Sequence, residues 1–393
     1  MTRSLSCHLL DILAEVPDPR HKKGKRHPLV SILALIVIGL MSNHKGYTSI
    51  ATWARNQAEL TKALGFRSPK TPCAATIHNL LKRLDVVRLE ASLTKWVFSK
   101  LEDFQVLKTQ RLEGIAIDGK ELCGSKDPET GFRTHLLSAV SHELGVVLAQ
   151  CAVDEKTNEI PISTELLKIF DVVGKVVTTD ALLTQKTFCK DVIEHQADYA
   201  LPVKENHKQM YEDIRQLFEP LSETDTPDVE KRRFENLHTE EGAHLHTHTD
   251  VEKARGYITT RTVTASTMLT DYINWPGIAQ VYRYETHREN TKTGEISRHT
   301  QYCITSLSPE GASAKDLLKL QRGHWTIENK VHWVRDTALR EDASQTRTGN
   351  LPHVMAALRN TAMSVLRFAG HTKIAETMRS FASDTKLAVN LIL

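Results

Sequence analysis

The sequence predicts an α/β fold, with an all-helical region before the mixed region and a β-rich insertion inside it. Helical periodicity dominates the first hundred residues, and short β-branched runs alternating with helical stretches begin near residue 110. A further group of strand-like runs follows residue 205, before helices return near residue 307. We therefore predict four segments: a helical N-terminal domain (1–105), the first part of a catalytic core (106–206), a mostly β insertion (207–306) and C-terminal helices that complete the core (307–393).

The composition limits the classes of function. The chain of 393 residues has room for two or three domains, and its net charge of +3 is too small to predict nucleic-acid binding without local basic patches. Its six cysteines form no CxxC pair, so neither a zinc knuckle nor a disulfide framework is indicated. The longest apolar run, Leu29 to Met41, is too short to span a bilayer. We expect that run to be a buried helix of a cytoplasmic protein without a membrane partner.

Basic residues are concentrated near the N-terminus. The segment Arg20 to His27 holds four candidate DNA contacts with no acid among them: Lys22, Lys23, Lys25 and Arg26. Two helical stretches follow, at 49–64 and 76–84, separated by a proline-containing turn. This order is compatible with a helix-turn-helix unit that places its second helix in a DNA groove. A small helical domain without DNA contact has the same pattern, so both interpretations stay open.

The mixed region gives a specific order of elements. Three strands come first (114–118, 134–141 and 146–153), then a helix (162–170), a strand (175–180), a helix (184–195) and a strand (198–203). This is the order of an RNase H-like core, a mixed five-stranded sheet flanked by helices. The insertion adds a helix (211–218) and strands at 243–250, 257–264, 278–284 and 301–306.

Three histidines alternate along the first insertion strand. His244, His246 and His248 fall on one face of that strand, where they are candidates for a zinc site. Spacing implies neither a fourth ligand nor a carboxylate to orient the rings. We therefore favour a solvated strand face.

A late amphipathic helix is predicted from Leu317 to Arg340. Its apolar stripe consists of Leu317, Leu320, Ile327, Val331 and Val334. A second face carries one carboxylate among an indole, imidazoles and a guanidinium: Trp325, Glu328, His332 and Arg335, with His324 one turn before Glu328. One interpretation is a surface helix with ion pairs. The other is that Glu328 completes a metal site whose remaining ligands lie upstream.

Two aspartates end predicted strands. Asp118 is the last residue of the first predicted strand, and Asp180 is the last residue of the fourth. These strands are neighbours in the predicted sheet, so the two side chains would face each other. Together with Glu328 they offer hard oxygen ligands for Mg²⁺ or Mn²⁺. Two such ions are suited to phosphodiester chemistry. The alternatives are a hairpin turn at Asp118-Gly119 and a helix N-cap at Asp180.

Four motifs together carry a resemblance to a known family. They are AIDGKELCGS, TTDALLTQK, DYALPVKENH, and RGHWTIENKVHWVRD followed by EDAS. The chain resembles the DDE insertion-sequence transposases, most closely the H-repeat-associated group, over roughly residues 20–370. The resemblance implies a triad of Asp118, Asp180 and Glu328 in an RNase H-like fold, with a β-rich insertion between the second aspartate and the glutamate. It also implies two divalent ions, Mg²⁺ or Mn²⁺.

The resemblance implies double-stranded DNA as the partner and no small-molecule substrate. A homodimer would pair two transposon ends, at the nucleoid of a bacterial cell. Where the wider family has a Tyr, an Arg and a Lys that grip phosphates, this sequence has Gln321, His324 and Arg335. The candidate DNA contacts near the site are Arg322, His324, Trp325, Arg335, Lys204 and Asn206, with Arg322 and Arg335 as the phosphate-binding cations and Trp325 as a stacking surface.

Three functions are weighed. The first is a transposase that binds terminal inverted repeats, cuts DNA with Mg²⁺ and joins the 3′ ends to a target. The second is a catalytically inactive or domesticated relative that only binds DNA. The third is a helix-borne metallohydrolase using His324, Glu328 and His332, which lacks the H-E-x-x-H order and leaves both aspartates unexplained.

Overall fold

The structure is a computed structural model that describes residues 8–22, 25–66, 70–103, 112–154, 158–219 and 245–393. Two predicted site residues, Lys23 and His244, lie outside the described residues. The chain forms two compact units, which are described separately. Unit 1 comprises residues 1–111, 118–170 and 326–393, and unit 2 comprises residues 112–117 and 171–325.

The described residues contain nine strands, in chain order β1 (Glu113–Glu121), β2 (His135–Ser141), β3 (Val147–Val153), β4 (Lys175–Thr179), β5 (Asp198–Val203), β6 (Leu245–Ala254), β7 (Tyr257–Ser266), β8 (Gln280–Asn290) and β9 (Ile296–Thr305). The α-helices of the described residues, in the same order, are α1 (Leu9–Glu15), α2 (Leu29–Met41), α3 (Tyr47–Ala54), α4 (Ala58–Ala63), α5 (Ala74–Leu81), α6 (Val86–Asp103), α7 (Glu159–Leu167), α8 (Lys186–Glu194), α9 (Lys208–Phe218), α10 (Ala314–His324), α11 (Trp333–Thr337), α12 (Leu351–Phe368), α13 (Ile374–Ser383) and α14 (Thr385–Val389). Strand β1 is divided, because residues 113–117 belong to unit 2 and residues 118–121 to unit 1.

Two helices form the centre of unit 1. Helix α2 is buried along almost its whole length, and α12 packs against it and is buried over most of its surface. A helix that is apolar on all faces is stable in water only when other elements cover it. Helices α1, α3, α13 and α14 pack on α2, and α6 packs on α1 and α12. The buried helix predicted from the apolar run Leu29–Met41 is confirmed.

The helical prediction for residues 49–64 is only partly correct. The structure has two helices there, α3 and α4, separated by residues 55–57. The amides of Asn56 and Gln57 each reach back three residues, to the carbonyls of Trp53 and Ala54 at 3.1 Å. Such tight turns end an α-helix.

The strands of unit 1 are the last residues of β1 with β2 and β3. Strands β2 and β3 form an antiparallel hairpin, and β2 is next to β1 in the strand order. Helix α7 packs on both β2 and β3. The hairpin turns at Gly145, whose φ of +67° favours glycine.

Unit 2 is built on a mixed sheet with the strand order β1-β4-β5-β9-β8-β7-β6. Strands β1, β4 and β5 are parallel, whereas β9, β8, β7 and β6 are joined antiparallel to one another and to β5. The five predicted core strands, β1 to β5, are all present. The structure corrects the prediction in one respect, because the insertion strands join the same sheet through β9 and β5. Residues 200–203 of β5 pair with residues 302–305 of β9, and this pairing satisfies backbone groups that an edge strand would leave open.

Helix α10 covers the sheet of unit 2. It packs on β4, β5, β6 and β7, and its apolar residues join a core cluster with Val176, Val263 and Tyr282. A capping box starts the helix, since Ser313 Oγ accepts from the amide of Asp316 at 3.3 Å and Asp316 Oδ2 accepts from the amide of Ser313 at 3.0 Å. Across the described ranges, no helix combines the length and apolar character needed to cross a membrane.

Candidate active site

Strand β1 positions Asp118 directly after the buried residues 115–117. The strand remains extended as far as Glu121, so the alternative of a hairpin turn at Asp118-Gly119 is wrong. The Asp118 side chain is 19% exposed. A carboxylate in this position is held by a rigid strand while it stays accessible to a ligand.

Gly119 gives the space that this part of β1 needs. A Cβ at this position would lie 2.0 Å from Glu159 Oε1 and 2.6 Å from His135 Nε2. Those two side chains, from α7 and β2, approach each other to 2.8 Å between His135 Nε2 and Glu159 Oε1. The missing side chain therefore lets the pair pack against the backbone beside Asp118.

A π-helical turn, Ile327–His332, positions Glu328 and His332. In such a turn the backbone hydrogen bonds span five residues rather than four, and π-turns occur frequently at functional sites. Ile327 and Val331 are fully buried, as the predicted apolar stripe requires, whereas Glu328 is 49% exposed. The apolar residues therefore anchor the turn and leave the carboxylate accessible.

Asp118, Glu328 and His332 form a cluster within unit 1. One ligand atom from each residue lies within 4.8 Å of the other two. His332 Nδ1 is 3.7 Å from Asp118 Oδ2 and 3.6 Å from Glu328 Oε1. The structure therefore brings together the first and last carboxylates predicted from the sequence, and adds an imidazole.

Glu328 and His332 shift each other's pKa values. The neighbouring His332 ring lowers the pKa of Glu328 to about 2, with smaller contributions from Asp118 and Lys120. Burial lowers the pKa of His332, although Glu328 opposes that effect. Glu328 is therefore ionised at neutral pH, as a cation ligand must be.

Lys120 is a site residue that the sequence reasoning missed. It lies two residues after Asp118 on β1, and its Nζ is 2.8 Å from Asp336 Oδ2 and 3.6 Å from Asp342 Oδ1. Its side chain is 10% exposed. The available signal was the alternation of a strand, which places residues 118 and 120 on the same face.

Arg335 lies in the protein interior. Its side chain is 0% exposed, and Nε donates to Glu341 Oε2 at 2.6 Å. The other oxygen of Glu341 accepts from Arg359 Nη1 at 3.1 Å, and Arg335 Nη1 reaches Gln150 Oε1 at 3.4 Å. The expectation that Arg335 grips a DNA phosphate therefore meets a physical obstacle, because its guanidinium is enclosed and already paired with a buried acid.

Asp180 belongs to unit 2, where it follows the buried strand β4 and is itself exposed. Its Oδ1 accepts from the amides of Leu182 at 3.0 Å and Leu183 at 3.4 Å, so Asp180 does cap a short 3₁₀ turn, as the alternative interpretation required. Asn206 donates to the carbonyl of Ala181 at 2.9 Å. Asn206 thus holds the turn that carries Asp180, although its side chain was predicted to contact DNA.

The remaining candidate DNA contacts of unit 2 differ in their surroundings. Arg322 is paired with Asp250 at 3.7 Å and Glu252 at 3.3 Å, both on β6. The His324 ring lies 3.1 Å from Thr178 Oγ1. Trp325 is 51% exposed, and Lys204 is exposed after β5.

In the N-terminal basic segment of unit 1, Lys22, Lys25 and Arg26 are exposed. Lys25 lies 3.6 Å from Asp18. The exposure of these side chains is compatible with the predicted DNA contact.

The histidine strand forms no metal cluster among the residues that the structure describes. His248 Nε2 pairs with Asp250 Oδ1 at 3.1 Å, and His246 is exposed. Within the same residues, the cluster with metal-ligand geometry is the one formed by Asp118, Glu328 and His332. It contains two members of the metallohydrolase set considered above, but Asp118 rather than His324 is the third.

Comparison with known proteins identifies the family. A family model described as "Transposase DDE domain" matches residues 109–365, a range that includes Asp118, Asp180 and Glu328. The chain belongs to the DDE transposase family. A second model, described as "DDE_Tnp_1-associated", matches residues 10–97 of this transposase-family chain. The resemblance stated from the motifs is confirmed.

Relatives of this DDE transposase-family chain carry related names. It is 27% identical to "Putative transposase YncI" of Escherichia coli O157:H7, over 91% of this chain and 87% of the relative. It is also 27% identical to "H repeat-associated putative transposase YhhI" of Escherichia coli (strain K12), over 91% and 90%. Among solved structures, a piggyBac transposase synaptic complex with hairpin DNA matches with a TM-score of 0.42 and 11% identity, covering 99% of this chain and 82% of that one.

Proposed function

We propose that the chain is an active DNA transposase that binds the terminal inverted repeats of its element, cuts one strand and joins the 3′ end to a target. The observation that carries this proposal is the cluster of Asp118 and Glu328 with His332, all within 4.8 Å. The two carboxylates come from a central strand and a late helical turn, far apart in sequence. Membership of the DDE transposase family supports the same chemistry.

We further propose an RNase H-like core in which Asp180 is the third carboxylate. The order β1-β2-β3-α7-β4-α8-β5 supports this fold. The parallel register of β1 and β4 pairs Ile117 with Thr179. Asp118 directly follows Ile117 in the sequence, and Asp180 directly follows Thr179. In two parallel strands, the residues that follow a paired position continue in the same direction on both strands.

The residues present fit a divalent cation. Asp118 and Glu328 offer carboxylate oxygens, which Mg²⁺ and Mn²⁺ prefer, and the low pKa of Glu328 keeps one of them charged. We propose that Asp118, Asp180 and Glu328 hold two such ions. When bound, the cations supply activation of the attacking hydroxyl and charge neutralisation at the phosphodiester.

The chain itself contributes orientation and charge balance. The imidazole of His332, only 6% exposed, lies 3.7 Å from Asp118 Oδ2 and 3.6 Å from Glu328 Oε1. Lys120 neutralises the nearby Asp336 and Asp342, which keeps those acids from adding repulsion to the cluster. The ionised Glu328 is half-exposed, so a phosphate-bound cation can reach it.

DNA contacts complete the proposal. The exposed Trp325 supplies a stacking surface, and Lys204 supplies a cation after β5. Arg322 and His324 would bind phosphates after exchanging their present partners. The basic segment with Lys22, Lys23, Lys25 and Arg26 would contact the duplex farther from the cut. We expect two copies of the chain to pair two element ends, at the nucleoid of a bacterial cell.

The test is a nicking assay with supercoiled DNA that carries the flanks of the chain's own gene, in Mg²⁺ or Mn²⁺. We expect nicking by the wild type, and its loss in Asp118→Ala, Asp180→Ala and Glu328→Ala. The exposed Glu295→Ala is the matched control and should nick normally. Binding of the flanks without nicking by the wild type would favour the second candidate, a catalytically inactive DNA-binding relative. Unchanged nicking in Asp180→Ala would exclude the proposed triad.

A further inference from the structure

Unit 1 contains a groove of about 510 Å³ next to the helical segment that carries Glu328. Its walls come from α11, the end of α12, the residues that follow α12, and α13. We call it the Trp333 groove and define it by Trp333 and four cationic side chains: Lys330, Arg367, Lys373 and Arg379. Its volume lies within the range of about 300–1,000 Å³ that small-ligand pockets occupy, so it suits one or two nucleotides better than a duplex.

The groove combines an apolar floor with an exposed aromatic ring. Val334, Ala338 and Ile374 lie at its base and are almost fully buried. Trp333 is 61% exposed, although an indole of this size is usually well covered in a folded protein. An exposed tryptophan on a cationic surface is typical of a platform on which a ligand ring stacks.

The cations on the Glu328 side of the groove are held in place by backbone carbonyls. Arg367 donates to the carbonyls of Gly145 and Lys330, and Lys330 Nζ donates to the carbonyl of Glu143 at 3.0 Å. These bonds hold the side chains through neutral carbonyl groups. Burial and Arg367 lower the pKa of Lys330, and the carboxylate of Glu143, which also lines the groove, opposes that effect. Lys373 is paired with Glu376 at 3.3 Å, but both side chains are well exposed, so this pair is weak.

Two further cations, Lys45 and Arg340, lie near Arg379, because the charges of Arg340 and Arg379 both act on Lys45. Lys45 donates to Asn43 Oδ1 and to the carbonyl of Ala338. Burial, together with the charges of Arg340 and Arg379, lowers the pKa of Lys45 to about 8. Within the part of the chain described, no carboxylate is paired with Lys45, Arg340 or Arg379. Like charges crowded in this way repel one another unless an anion binds.

We propose that the Trp333 groove binds an unpaired DNA strand, with phosphates on its cations and one base stacked on Trp333. The inference rests on the proposed function, because it assigns the groove to a strand that leaves the active site at a cut or melted DNA end. Cationic grooves with aromatic platforms are the physical solution for single strands, whose base faces are open. In a duplex those faces are covered by neighbouring bases.

The test measures binding of a fluorescein-labelled oligo-dT of 12 nucleotides by anisotropy, in EDTA, so that neither metal nor cleavage is involved. We expect the wild type to bind it, Trp333→Ala to bind about tenfold more weakly or worse, and Trp333→Phe to recover most of the affinity. Arg379→Glu should weaken binding and reduce its salt dependence. The matched controls are Tyr272→Ala and Lys190→Glu, an exposed aromatic and an exposed cation elsewhere, which should bind as the wild type does.

Equal affinity of Trp333→Ala and the wild type for oligo-dT would overturn the inference. So would a Trp333→Ala variant that loses affinity for a blunt duplex of the same length as strongly as for the single strand. Circular dichroism of each variant shows whether it is folded. If the wild type never nicks DNA but binds oligo-dT through Trp333, the proposed function fails and the groove assignment stands.

Discussion

Glu328 and Glu341 are two acids of unit 1 whose pKa values both lie below the usual range, for opposite structural reasons. Glu341 is 3% exposed, and each of its oxygens accepts from a buried arginine. Glu328 is half-exposed and is held mainly by the single ring of His332. A carboxylate satisfied on both oxygens stabilises the fold, whereas one with open coordination capacity is available to a ligand.

The two acids also differ in what the loss of each carboxylate would do to the residues around it. Three nitrogens of the buried arginines, Arg335 Nη2 and Arg359 Nε and Nη2, have no hydrogen-bond partner within the described residues. The Glu341 cluster is therefore sensitive to any loss of its one acid. The Glu328 cluster instead has two carboxylates beside one imidazole, and Glu328 remains half-exposed.

The largest effect is expected from substitution of the buried acid, Glu341. Glu341→Gln leaves Arg335 and Arg359 buried without a counter-charge, and we expect the free energy of unfolding to fall by about 3–5 kcal/mol. Urea unfolding followed by circular dichroism measures this change. Glu295→Gln, at an exposed acid, should stay within about 0.5 kcal/mol of the wild type. A Glu341→Gln variant as stable as that control would contradict the role given to this cluster.

Glu328→Gln should show the reverse pattern. We expect nicking activity to fall by about 10²–10³-fold, because a charged ligand of the cation is lost. The free energy of unfolding should change by less than about 1 kcal/mol, since the side chain is half-exposed. The nicking assay and urea unfolding together separate the two effects. A large loss of stability with normal nicking would show that Glu328 belongs with Glu341.

Lys120 links the two acids, because its charge lowers the pKa of both Glu328 and Glu341. Lys120→Met removes the contacts with Asp336 and Asp342, and we expect a loss of about 1–3 kcal/mol in the free energy of unfolding. Nicking should also decrease, because Asp336 and Asp342 then add uncompensated negative charge. The control is Lys190→Met, because the Lys190 side chain is exposed. Lys175→Met is less suitable, because Lys175 is buried and paired. Equal stability of Lys120→Met and Lys190→Met would sink this prediction.

The smallest expected effect is a pH dependence that sharpens the comparison. The two arginines hold the pKa of Glu341 below its usual range in the folded state, although burial opposes them. The unfolded chain, with a glutamate pKa of about 4.3, then binds more protons in acid, so stability falls as the pH drops through and below that value. Urea midpoints between pH 7 and pH 3 should decline less steeply in Glu341→Gln than in the wild type. Parallel curves would show that Glu341 does not titrate differently in the two states.

The sequence predicted best those elements whose burial follows from their own hydrophobic periodicity. Helix α2 and the stripe of Ile327, Val331 and Val334 are buried as the pattern required. The adjacency of Asp118 and Glu328 followed from the order of elements and the family motifs. The first follows from local periodicity alone, whereas the second required the resemblance to a family.

The other features depend on contacts between residues that are far apart in the sequence, and no local pattern reveals such contacts. The π-helical turn leaves the apolar spacing of its residues compatible with an ordinary helix, so periodicity cannot detect it. Arg335 is buried because Glu341 and Arg359 meet it from other segments. The pairing of β9 with β5 likewise depends on which edge of the sheet is open after folding.

The π-helical turn also limits how such a chain can change over evolutionary time. It accommodates one residue more than an α-helical turn, so loss of a single codon, for example that of Asn329, would convert it to a regular helix. The rotation per residue is smaller in a π-turn than the roughly 100° of an α-helix, so the directions of the side chains within the turn would change, including that of His332 relative to Glu328. A lineage that kept its reading frame and nearly all of its side chains would then hold its imidazole in a different position beside the acid.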